Sequence, residues 1–375
     1  MILVQRTKTM EINDKENGLI KRLTNKTFKF DKRFMDGYYS ANYFIKTRKI
    51  VLEHLQGHIA KMQFFQRSDD VMACGLDECI ALLQEFSSNP KDLEIEALND
   101  GDIVKSGEPV LKIKGRYEDF GFLEGAIDGI LSRRSSVATN CYRVLKLSNG
   151  KPVLNMGDRQ DDPYTQSGDG YASYVAGMRL FSTDAQGAWV GILGGGTMPH
   201  ALIELCDGDV NKAADYFYET FSGKPITVLI DYRNNAVWDS VALARHLGDK
   251  LGAVRVDTSK ALIDHYFDDK MDEYEGKDIH GVNIYQIKAL REELDKAGYP
   301  FVKIVVSSGF DEKKIKFFED NGAPVDIYGV GTSLLKIFVG YTGDLVELDG
   351  KPQAKEGRSD IPSSRLEKVK LNKRV

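Results

Sequence analysis

The stretch VKIVVSSG, residues 302–309, is the pattern on which the fold of this chain depends. A short apolar run ends in two serines and a glycine, and a helical segment, Glu312–Asp320, follows it. Continuous apolar runs are typical of parallel strands, because both faces of a parallel sheet are covered. The stretch therefore predicts a buried strand over Val302–Val306 whose polar end leads through a loop into a helix.

The same pattern occurs six times between residues 152 and 332. The other five copies are VLNMGDR at 153–159, WVGILGGG at 189–196, ITVLIDY at 226–232, AVRVDTS at 253–259 and VDIYGVGT at 325–332. Helical segments, among them Val237–Leu251, alternate with these runs, which predicts parallel strands joined by crossover helices. Strand ends with polar or glycine residues, over roughly 180 residues, fit a TIM-like α/β barrel with its site at the C-terminal rim.

A different pattern flanks the barrel on its N-terminal side. The segments LEIEAL at 93–98 and VLKIKG at 110–115 alternate apolar and polar residues, and Asp-Gly and Ser-Gly turns lie between them. This predicts a small antiparallel sheet. The hairpin pattern TGDLVELDGKP at 342–352 is expected to return to it. The predicted domains are therefore 1–150 with 341–375, and the barrel at 151–340.

Composition excludes several classes of protein. The 375 residues carry a net charge of -5, which argues against a nucleic-acid partner. No apolar run long enough for a membrane span and no signal-peptide pattern are found in the sequence, so no membrane partner is expected. Four cysteines, without a zinc-ligand pattern, suggest reduced thiols and a cytoplasmic location.

The loop GGGTMPH at 194–200 is the first candidate functional element. Glycines allow main-chain N–H groups to approach a ligand closely, Thr197 offers a hydroxyl, and Pro199 suits the first turn of a helix. His200 at such a helix start fits a phosphate site, where amides and the helix dipole face an anion. A plain connector whose histidine only caps or packs remains the alternative.

The last two strand ends form a second candidate site. In barrels of this kind, phosphate commonly binds in the loops after strands 7 and 8. Ser307, Ser308 and Gly309 precede one helical segment, and the stretch Gly329, Gly331 and Thr332 precedes another. We expect both loops to cradle a phosphate, although two ordinary strand-to-helix turns have a similar composition.

The aromatic stretch Phe34–Arg48 contains the third candidate. Asp36 stands two residues before Tyr38, and a ring with a nearby carboxylate is suited to stacking on a flat heterocycle. A half-buried surface helix rich in tyrosine is the alternative.

In combination, these motifs resemble nicotinate phosphoribosyltransferase, a member of the type II phosphoribosyltransferase family, over nearly the whole chain. The motifs that carry the resemblance are Asp36-Gly37-Tyr38, Gly157-Asp158-Arg159, Gly196-Thr197-Met198-Pro199-His200, Arg255-Val256-Asp257-Thr258-Ser259, Ser307-Ser308-Gly309 and Gly329-Val330-Gly331-Thr332. The resemblance implies an irregular TIM-like α/β barrel with an N-terminal α/β sandwich subdomain. It also implies a homodimer with shared active sites.

The activity that the resemblance implies joins nicotinate to 5-phosphoribosyl 1-pyrophosphate (PRPP). The products are nicotinate mononucleotide and pyrophosphate, in the salvage route to NAD. Family members couple this reaction to ATP hydrolysis through a phosphorylated histidine, and His200 matches that position. Mg²⁺ is expected as a cofactor, bound mainly through substrate phosphates, with no direct protein ligand assigned.

The residue types suit this chemistry. Arg159 can grip phosphate oxygens, and Arg255 can bind the nicotinate carboxylate with its planar fork. Asp231 and Asp257 can hold ribose hydroxyls or orient Mg²⁺ through water. The predicted catalytic residues are therefore His200, Asp231 and Asp257, and the substrate-binding set includes Thr197.

Three other functions stay open. Family members often have an aromatic residue and two consecutive arginines where this chain has residues 156–160, MGDRQ. A quinolinate or nicotinamide phosphoribosyltransferase would be the nearest alternative, and quinolinate needs a second cationic clamp for its second carboxylate. A barrel enzyme that acts on another sugar phosphate, or a non-catalytic metabolite-binding homologue, would retain part of the same set.

Overall fold

The computed structural model describes residues 22–23, 26–221 and 224–370. The described chain forms two compact units. The N-terminal unit contains the described residues up to Tyr142, together with Ser167–Ala176 and 336–370, and the barrel unit contains Arg143–Gln166 and Gly177–Leu335. Among the described residues, no helix combines the length and the apolar character that crossing a bilayer would require.

Strands and helices are numbered here in chain order. The strands are β1 (Ile59–Phe65), β2 (Val71–Met72), β3 (Glu94–Ala97), β4 (Ile103–Val104), β5 (Pro109–Arg116), β6 (Val153–Asn155), β7 (Leu180–Phe181), β8 (Ile226–Leu229), β9 (Leu251–Val256), β10 (Lys303–Val306), β11 (Ile327–Val330), β12 (Thr342–Leu348), β13 (Lys351–Pro352) and β14 (Glu367–Lys368). The helices are α1 (Asn42–His54), α2 (Leu76–Phe86), α3 (Tyr117–Phe120), α4 (Glu124–Leu147), α5 (Gln166–Val175), α6 (Asp184–Gly187), α7 (His200–Leu205), α8 (Val210–Thr220), α9 (Ala236–Leu247), α10 (Ile284–Lys296) and α11 (Glu312–Asp320).

The N-terminal unit is built on an antiparallel sheet with the strand order β13-β12-β1-β5-β3-β14. Met62 of the central strand β1 pairs with Ile113 on one side and with Leu345 on the other. Helix α2 is buried along almost its whole length, and its apolar side chains pack with those of the sheet and of α4 in one core. The hairpin β12–β13 therefore extends the sheet of this unit, because β12 pairs with β1.

The barrel unit is built on six parallel strands in the order β7-β6-β11-β10-β9-β8. Val306 of β10 pairs with Val256 of β9 and with Tyr328 of β11, and all three side chains are buried. The sheet curls as an irregular half-barrel with β7 and β8 at its two edges in the described chain. This arrangement, with the N-terminal sandwich, confirms the fold class predicted from the sequence.

One predicted strand is wrong. The segment 189–193 is not a strand: a short 3₁₀ turn covers Ala188–Val190, and Gly191 takes a left-handed conformation at φ 66°. The Ile192 N–H then donates to the Gly187 carbonyl at 3.1 Å, so the chain folds back on itself. The sixth strand is β7, which the sequence pattern did not reveal because two residues carry no periodicity.

Other boundaries differ by a few residues. The helix predicted over Val237–Leu251 ends at Leu247, because Gly248 breaks it with a positive φ of 54° and β9 begins at Leu251. The helix over Glu312–Asp320 is confirmed at both ends. The loop after β11 leads into a 3₁₀ turn, Thr332–Leu335, rather than the predicted helical segment.

Candidate active site

Polar residues follow three neighbouring strands, β8, β9 and β10, at the same edge of the parallel sheet. Asp231 lies two residues after β8, Asp257 follows β9 and Ser307 follows β10. Because carboxyl ends of parallel strands meet at one edge, this edge is where ligands bind in open α/β folds. Asp231, Asp257 and Ser307 therefore lie along this rim.

Arg255 is the centre of a hydrogen-bonded group on the rim. Its Nε donates to Ser307 Oγ at 3.0 Å, its Nη2 to Asp257 Oδ2 at 3.1 Å and its Nη1 to Thr197 Oγ1 at 3.4 Å. Ser307 Oγ in turn donates to Asp257 Oδ1 at 2.6 Å. The structure therefore brings together four residues singled out from the sequence, three of them from two adjacent strands.

His200 and Asp231 form a second pair in the same unit. His200 Nε2 lies 3.3 Å from Asp231 Oδ1, and the exposed fraction is 41% for the histidine side chain but 6% for the aspartate. Burial raises the pKa of the Asp231 carboxyl above its usual range; His200 opposes the rise and Asp257 adds to it. A half-exposed imidazole held by a buried carboxylate is the arrangement of an oriented nucleophile or base.

The glycine loop is anchored at one end and open at the other. The Gly194 N–H donates to Asp184 Oδ1 at 2.8 Å, and the Gly195 N–H donates to the Phe181 carbonyl at 2.7 Å. These two amides are occupied within the protein, contrary to the expectation of a cradle of free N–H groups. A Cβ added at Gly196 would meet no atom within 4 Å, so the open part of the loop begins there. Helix α7 begins at His200, with Pro199 just before its first turn.

The two rim loops are Ser307–Gly309 after β10 and Gly329–Thr332 at the end of β11, and their glycines differ in exposure and packing. Ser308 and Gly309 both have positive φ, 74° and 69°, and Gly309 is exposed. Gly329 is buried within β11, where a Cβ would lie 2.7 Å from Met156 Sδ. A Cβ at Gly331 would lie 2.9 Å from the Met156 carbonyl oxygen. Gly329 and Gly331 are therefore required by their close packing against Met156, independently of any ligand.

Polar side chains at the end of β6 and in the loop after it lie outside the predicted set of site residues. Asn155 is fully buried, and its Oδ1 accepts from the Gly157 N–H at 2.9 Å and from Gln186 Nε2 at 3.2 Å. Ser182 Oγ donates to Asp158 Oδ1 at 2.7 Å. The available signal was an asparagine inside an otherwise apolar run.

Two further side chains lie at the outer part of this rim. Arg159 is exposed, and within the described residues it has no hydrogen-bond or ion-pair partner. Thr332 is also exposed, and its Oγ1 donates to Gln160 Oε1 at 2.7 Å.

Asp36 and Tyr38 belong to the N-terminal unit. Both are exposed, and 64% of Tyr38 is accessible. The Arg33 guanidinium lies 4.1 Å from the Tyr38 ring centre and covers one face. Gly37 has a positive φ of 72° and approaches Ile45 closely, which fixes the turn that presents the tyrosine.

The chain is similar in sequence to known phosphoribosyltransferases. Residues 43–135 match the family model described as quinolinate phosphoribosyl transferase, N-terminal domain. The nicotinate phosphoribosyltransferase pncB1 of Mycobacterium tuberculosis is 28% identical over 293 residues, which cover 75% of this chain and 59% of the relative. The chain therefore spans about three fifths of the length of that curated relative.

Solved structures extend the likeness over the whole fold. A nicotinate-nucleotide pyrophosphorylase from Pyrococcus furiosus is 30% identical, with a TM-score of 0.76, and the match covers 93% of this chain and 86% of that one. Human nicotinic acid phosphoribosyltransferase shares the fold with a TM-score of 0.63 at 18% identity, over 84% of this chain and 75% of that one. The chain belongs to the type II phosphoribosyltransferase family.

Proposed function

We propose that this chain joins nicotinate to PRPP, releasing pyrophosphate and giving nicotinate mononucleotide, and that it couples the reaction to ATP hydrolysis through His200. The observation that carries the proposal is the combination of two groups in one unit. Arg255, Asp257 and Ser307 form a rigid hydrogen-bonded set at two strand ends, and His200 is oriented by Asp231. Relatives named for nicotinate support the choice of base.

Arg255 is suited to bind the nicotinate carboxylate. A guanidinium has five N–H donors, and Arg255 directs one each from Nε, Nη1 and Nη2 to protein oxygens. One N–H therefore remains on each terminal nitrogen, as a fork for a carboxylate. The bond to Ser307 and Asp257 holds this fork in place, so little ordering is needed when the base binds.

The ribosyl transfer itself needs no redox step. The pyridine nitrogen of nicotinate forms a bond to C1′ of the ribose, and the bond from C1′ to pyrophosphate breaks with its electron pair leaving on the pyrophosphate oxygen. A carboxylate near C1′ stabilises the positive charge that develops there. Asp257, fixed by Arg255 and Ser307, is the group that we assign to this role or to a ribose hydroxyl.

Mg²⁺ fits the donor chemistry of this rim. The described residues contain no cluster of three or more histidine, cysteine or carboxylate groups that could hold a metal alone. Mg²⁺ commonly binds through one or two carboxylates plus substrate phosphates, and Asp231 and Asp257 would supply such carboxylates. Bound there, Mg²⁺ would supply positive charge for the pyrophosphate.

His200 is proposed to take the γ-phosphoryl group of ATP. We assign the imidazole proton to Nε2, which lies 3.3 Å from Asp231 Oδ1, so that the lone pair is on Nδ1. Nδ1 would bond to the γ-phosphorus while the bond to ADP breaks, and later hydrolysis of the phosphohistidine would return the imidazole. Coupling requires that the phosphorylated form binds the substrates more tightly than the free form.

Quinolinate is the second candidate base, favoured by the name of the matching family model. The second carboxylate of quinolinate would need another cation. Arg159 is exposed and lies four residues after the end of β6, so it is the candidate for this cation. A quinolinate reaction also releases carbon dioxide and has no use for a phosphohistidine. The His200–Asp231 pair therefore favours nicotinate.

Pyrophosphate release, measured with each base in parallel and with and without ATP, tests the proposal. We expect release with nicotinate, with ATP lowering the KM of the substrates, and little release with nicotinamide or quinolinate. Release with quinolinate alone, independent of ATP, would contradict it. The predicted homodimer with shared active sites and the predicted cytoplasmic location stay predictions.

A further inference from the structure

Lys314 contacts the main chain of the rim loop Ser307–Gly309 from helix α11. It projects from the first turn of α11, and its Nζ donates to the Ser308 carbonyl oxygen at 3.1 Å. The ammonium lies 4.3 Å from the ring centre of Phe310 and 5.8 Å from that of Phe318. Its position is therefore fixed by a charge-assisted hydrogen bond and by two aromatic rings.

The backbone that Lys314 contacts is in an unusual conformation. Ser308 has a φ of 74°, a left-handed conformation that is uncommon for residues other than glycine, and Gly309 continues it at 69°. The carbonyl of Ser308 and the N–H of Gly309 belong to one trans peptide, so they point in opposite directions. Since Lys314 holds the carbonyl towards α11, the Gly309 N–H is turned away from the helix.

The space beyond Gly309 is open. Gly309 is exposed, and a Cβ added there would meet no atom within 4 Å. Ser307, in contrast, is buried and its hydroxyl is occupied by Asp257 and Arg255. The Gly309 N–H therefore belongs to an exposed residue, whereas the Ser307 hydroxyl is bound within the protein.

We propose that Lys314 is a positioning residue for the substrate's phosphate: it orients the Ser308–Gly309 peptide so that the Gly309 N–H faces the phosphate, and its charge attracts that phosphate from behind the loop. The inference rests on the proposed function for its sugar-phosphate substrate, and on the sequence-based prediction that the loop Ser307–Gly309 binds the phosphate of that substrate. Lys314 touches no reacting atom, so it acts on binding and leaves the bond-breaking step unchanged.

The charge on Lys314 makes this contribution dependent on pH. Burial lowers the pKa of the Lys314 ammonium to about 8; Asp311 at the start of α11 opposes this, Lys260 adds to it, and Asp278 opposes it. Lys314 is thus charged below about pH 8 and loses its proton as the pH rises through that value. The dissociation constant for the phosphate ligand should therefore rise between pH 7 and 9, because the positive charge of Lys314 is lost in this range.

Calorimetric binding of ribose 5-phosphate to the full chain tests the proposal without requiring turnover. Lys314→Met keeps the packing against Phe310 and Phe318 but removes the charge and the hydrogen bond. We expect its dissociation constant at pH 7 to rise about tenfold, and to change little between pH 7 and 9. Lys314→Arg stays charged, so it should bind better than Lys314→Met and lose the weakening near pH 8.

Lys313→Met is the matched control, because Lys313 is the exposed neighbour on the same helix and carries the same charge. It should bind ribose 5-phosphate as the wild type does. In turnover, Lys314→Met should raise the KM for PRPP and leave kcat unchanged. Equal binding by Lys314→Met and the wild type, or equal weakening by Lys313→Met, would overturn the proposal.

The result separates this inference from the proposed function. If Lys314→Met weakens ribose 5-phosphate binding in a chain that releases no pyrophosphate with nicotinate, the inference holds and the proposed activity fails. If the chain makes nicotinate mononucleotide but Lys314→Met binds and turns over PRPP as the wild type does, only the inference fails.

Discussion

At the scale of single residues, the proposal depends on one imidazole and the carboxylate that orients it. Asp231 is almost fully buried, and within the described residues its carboxyl group lies 3.3 Å from His200 Nε2. Because burial raises the pKa of Asp231, the carboxyl takes up a proton at a higher pH than usual. Protonation would remove the acceptor for Nε2–H, so phosphorylation of His200 should weaken as the pH falls through that raised value.

His200→Asn should abolish ATP hydrolysis and the acid-labile label from γ-labelled ATP. Slow synthesis without ATP should survive, because the groups assigned to the ribose and the base are on other strands. His246→Asn is the control, since His246 also contacts an aspartate, Asp215 at 2.9 Å, but lies on the exposed side of α9. Label that persists in His200→Asn would place the phosphohistidine elsewhere.

Arg255→Gln should change the choice of base. The substitution removes the charged fork for a carboxylate, and loss of one partner of a desolvated charge pair typically costs about 2–5 kcal/mol. We expect kcat/KM for nicotinate to fall by roughly a hundredfold or more, with a smaller loss for nicotinamide, because nicotinamide has no carboxylate. Steady-state kinetics with both bases measure this. Equal losses for both bases would show that Arg255 acts on the fold of the rim and not on the carboxylate.

At the scale of elements, the glycine loop has one position closed by the protein and one open to solvent. A Cβ at Gly194 would lie 2.5 Å from the Thr183 carbonyl carbon and 2.7 Å from the Asp184 nitrogen, both main-chain atoms that cannot move independently. A Cβ at Gly196 would meet nothing within 4 Å. The two glycines therefore serve different purposes within three residues.

Gly194→Ala should displace the loop and lower both the melting temperature and His200 phosphorylation. Gly196→Ala should leave the melting temperature unchanged, and it should weaken ATP binding if the triphosphate approaches the loop at this point. Thermal unfolding and ATP titration of the two variants make the comparison. A Gly194→Ala variant as stable and as active as Gly196→Ala would contradict the anchoring of this loop.

The N-terminal unit contains a buried carboxyl whose ionisation is expected to affect stability. Asp100 is buried and accepts from the Leu76 N–H at 2.8 Å and from Tyr171 Oη at 2.9 Å. Burial, with a contribution from Asp77, raises its pKa from 3.8 to about 7. Between these values the folded chain holds a proton that the unfolded chain has released, so the free energy of unfolding falls as the pH rises through this window.

Asp100→Asn should flatten that fall, because the amide does not ionise and still offers an oxygen to the Leu76 N–H. Urea unfolding at about pH 5 and pH 8 measures the difference. Asp70→Asn is the control: Asp70 is exposed in the same unit, and its φ of 55° suits asparagine equally well. An Asp100→Asn variant with the same pH dependence as the wild type would show that Asp100 is ionised in the folded chain.

At the scale of the whole molecule, the sequence predicts the fold better than the details of the site. Apolar runs that end in polar residues indicate five of the six parallel strands, because a strand covered on both faces leaves a strong signal. The sixth, β7, is two residues long and leaves none. The apolar run at 189–193 resembles a strand but does not form one, because Gly191 adopts a left-handed conformation that turns the chain. The composition of the run does not reveal this conformation.

In the candidate site, too, features with a local sequence pattern are predicted and features that depend on folding are not. Arg255, Asp257 and Ser307 are found from sequence because their positions at strand ends imply that they meet. Which glycine amides are free could not be predicted, because the sequence does not show that the chain folds back on the preceding segment. In the structure, the Gly194 N–H donates to the Asp184 side chain and the Gly195 N–H to the Phe181 carbonyl.

Product identification by mass spectrometry tests the central claim most directly. The full chain is incubated with PRPP, ATP and nicotinate labelled with ¹³C in its carboxyl group, and in parallel with quinolinate. We predict nicotinate mononucleotide that retains the carboxyl label, formed together with ADP in the wild type and without ADP in His200→Asn. Formation of nicotinate mononucleotide from quinolinate, with no product from labelled nicotinate, would contradict the proposed function.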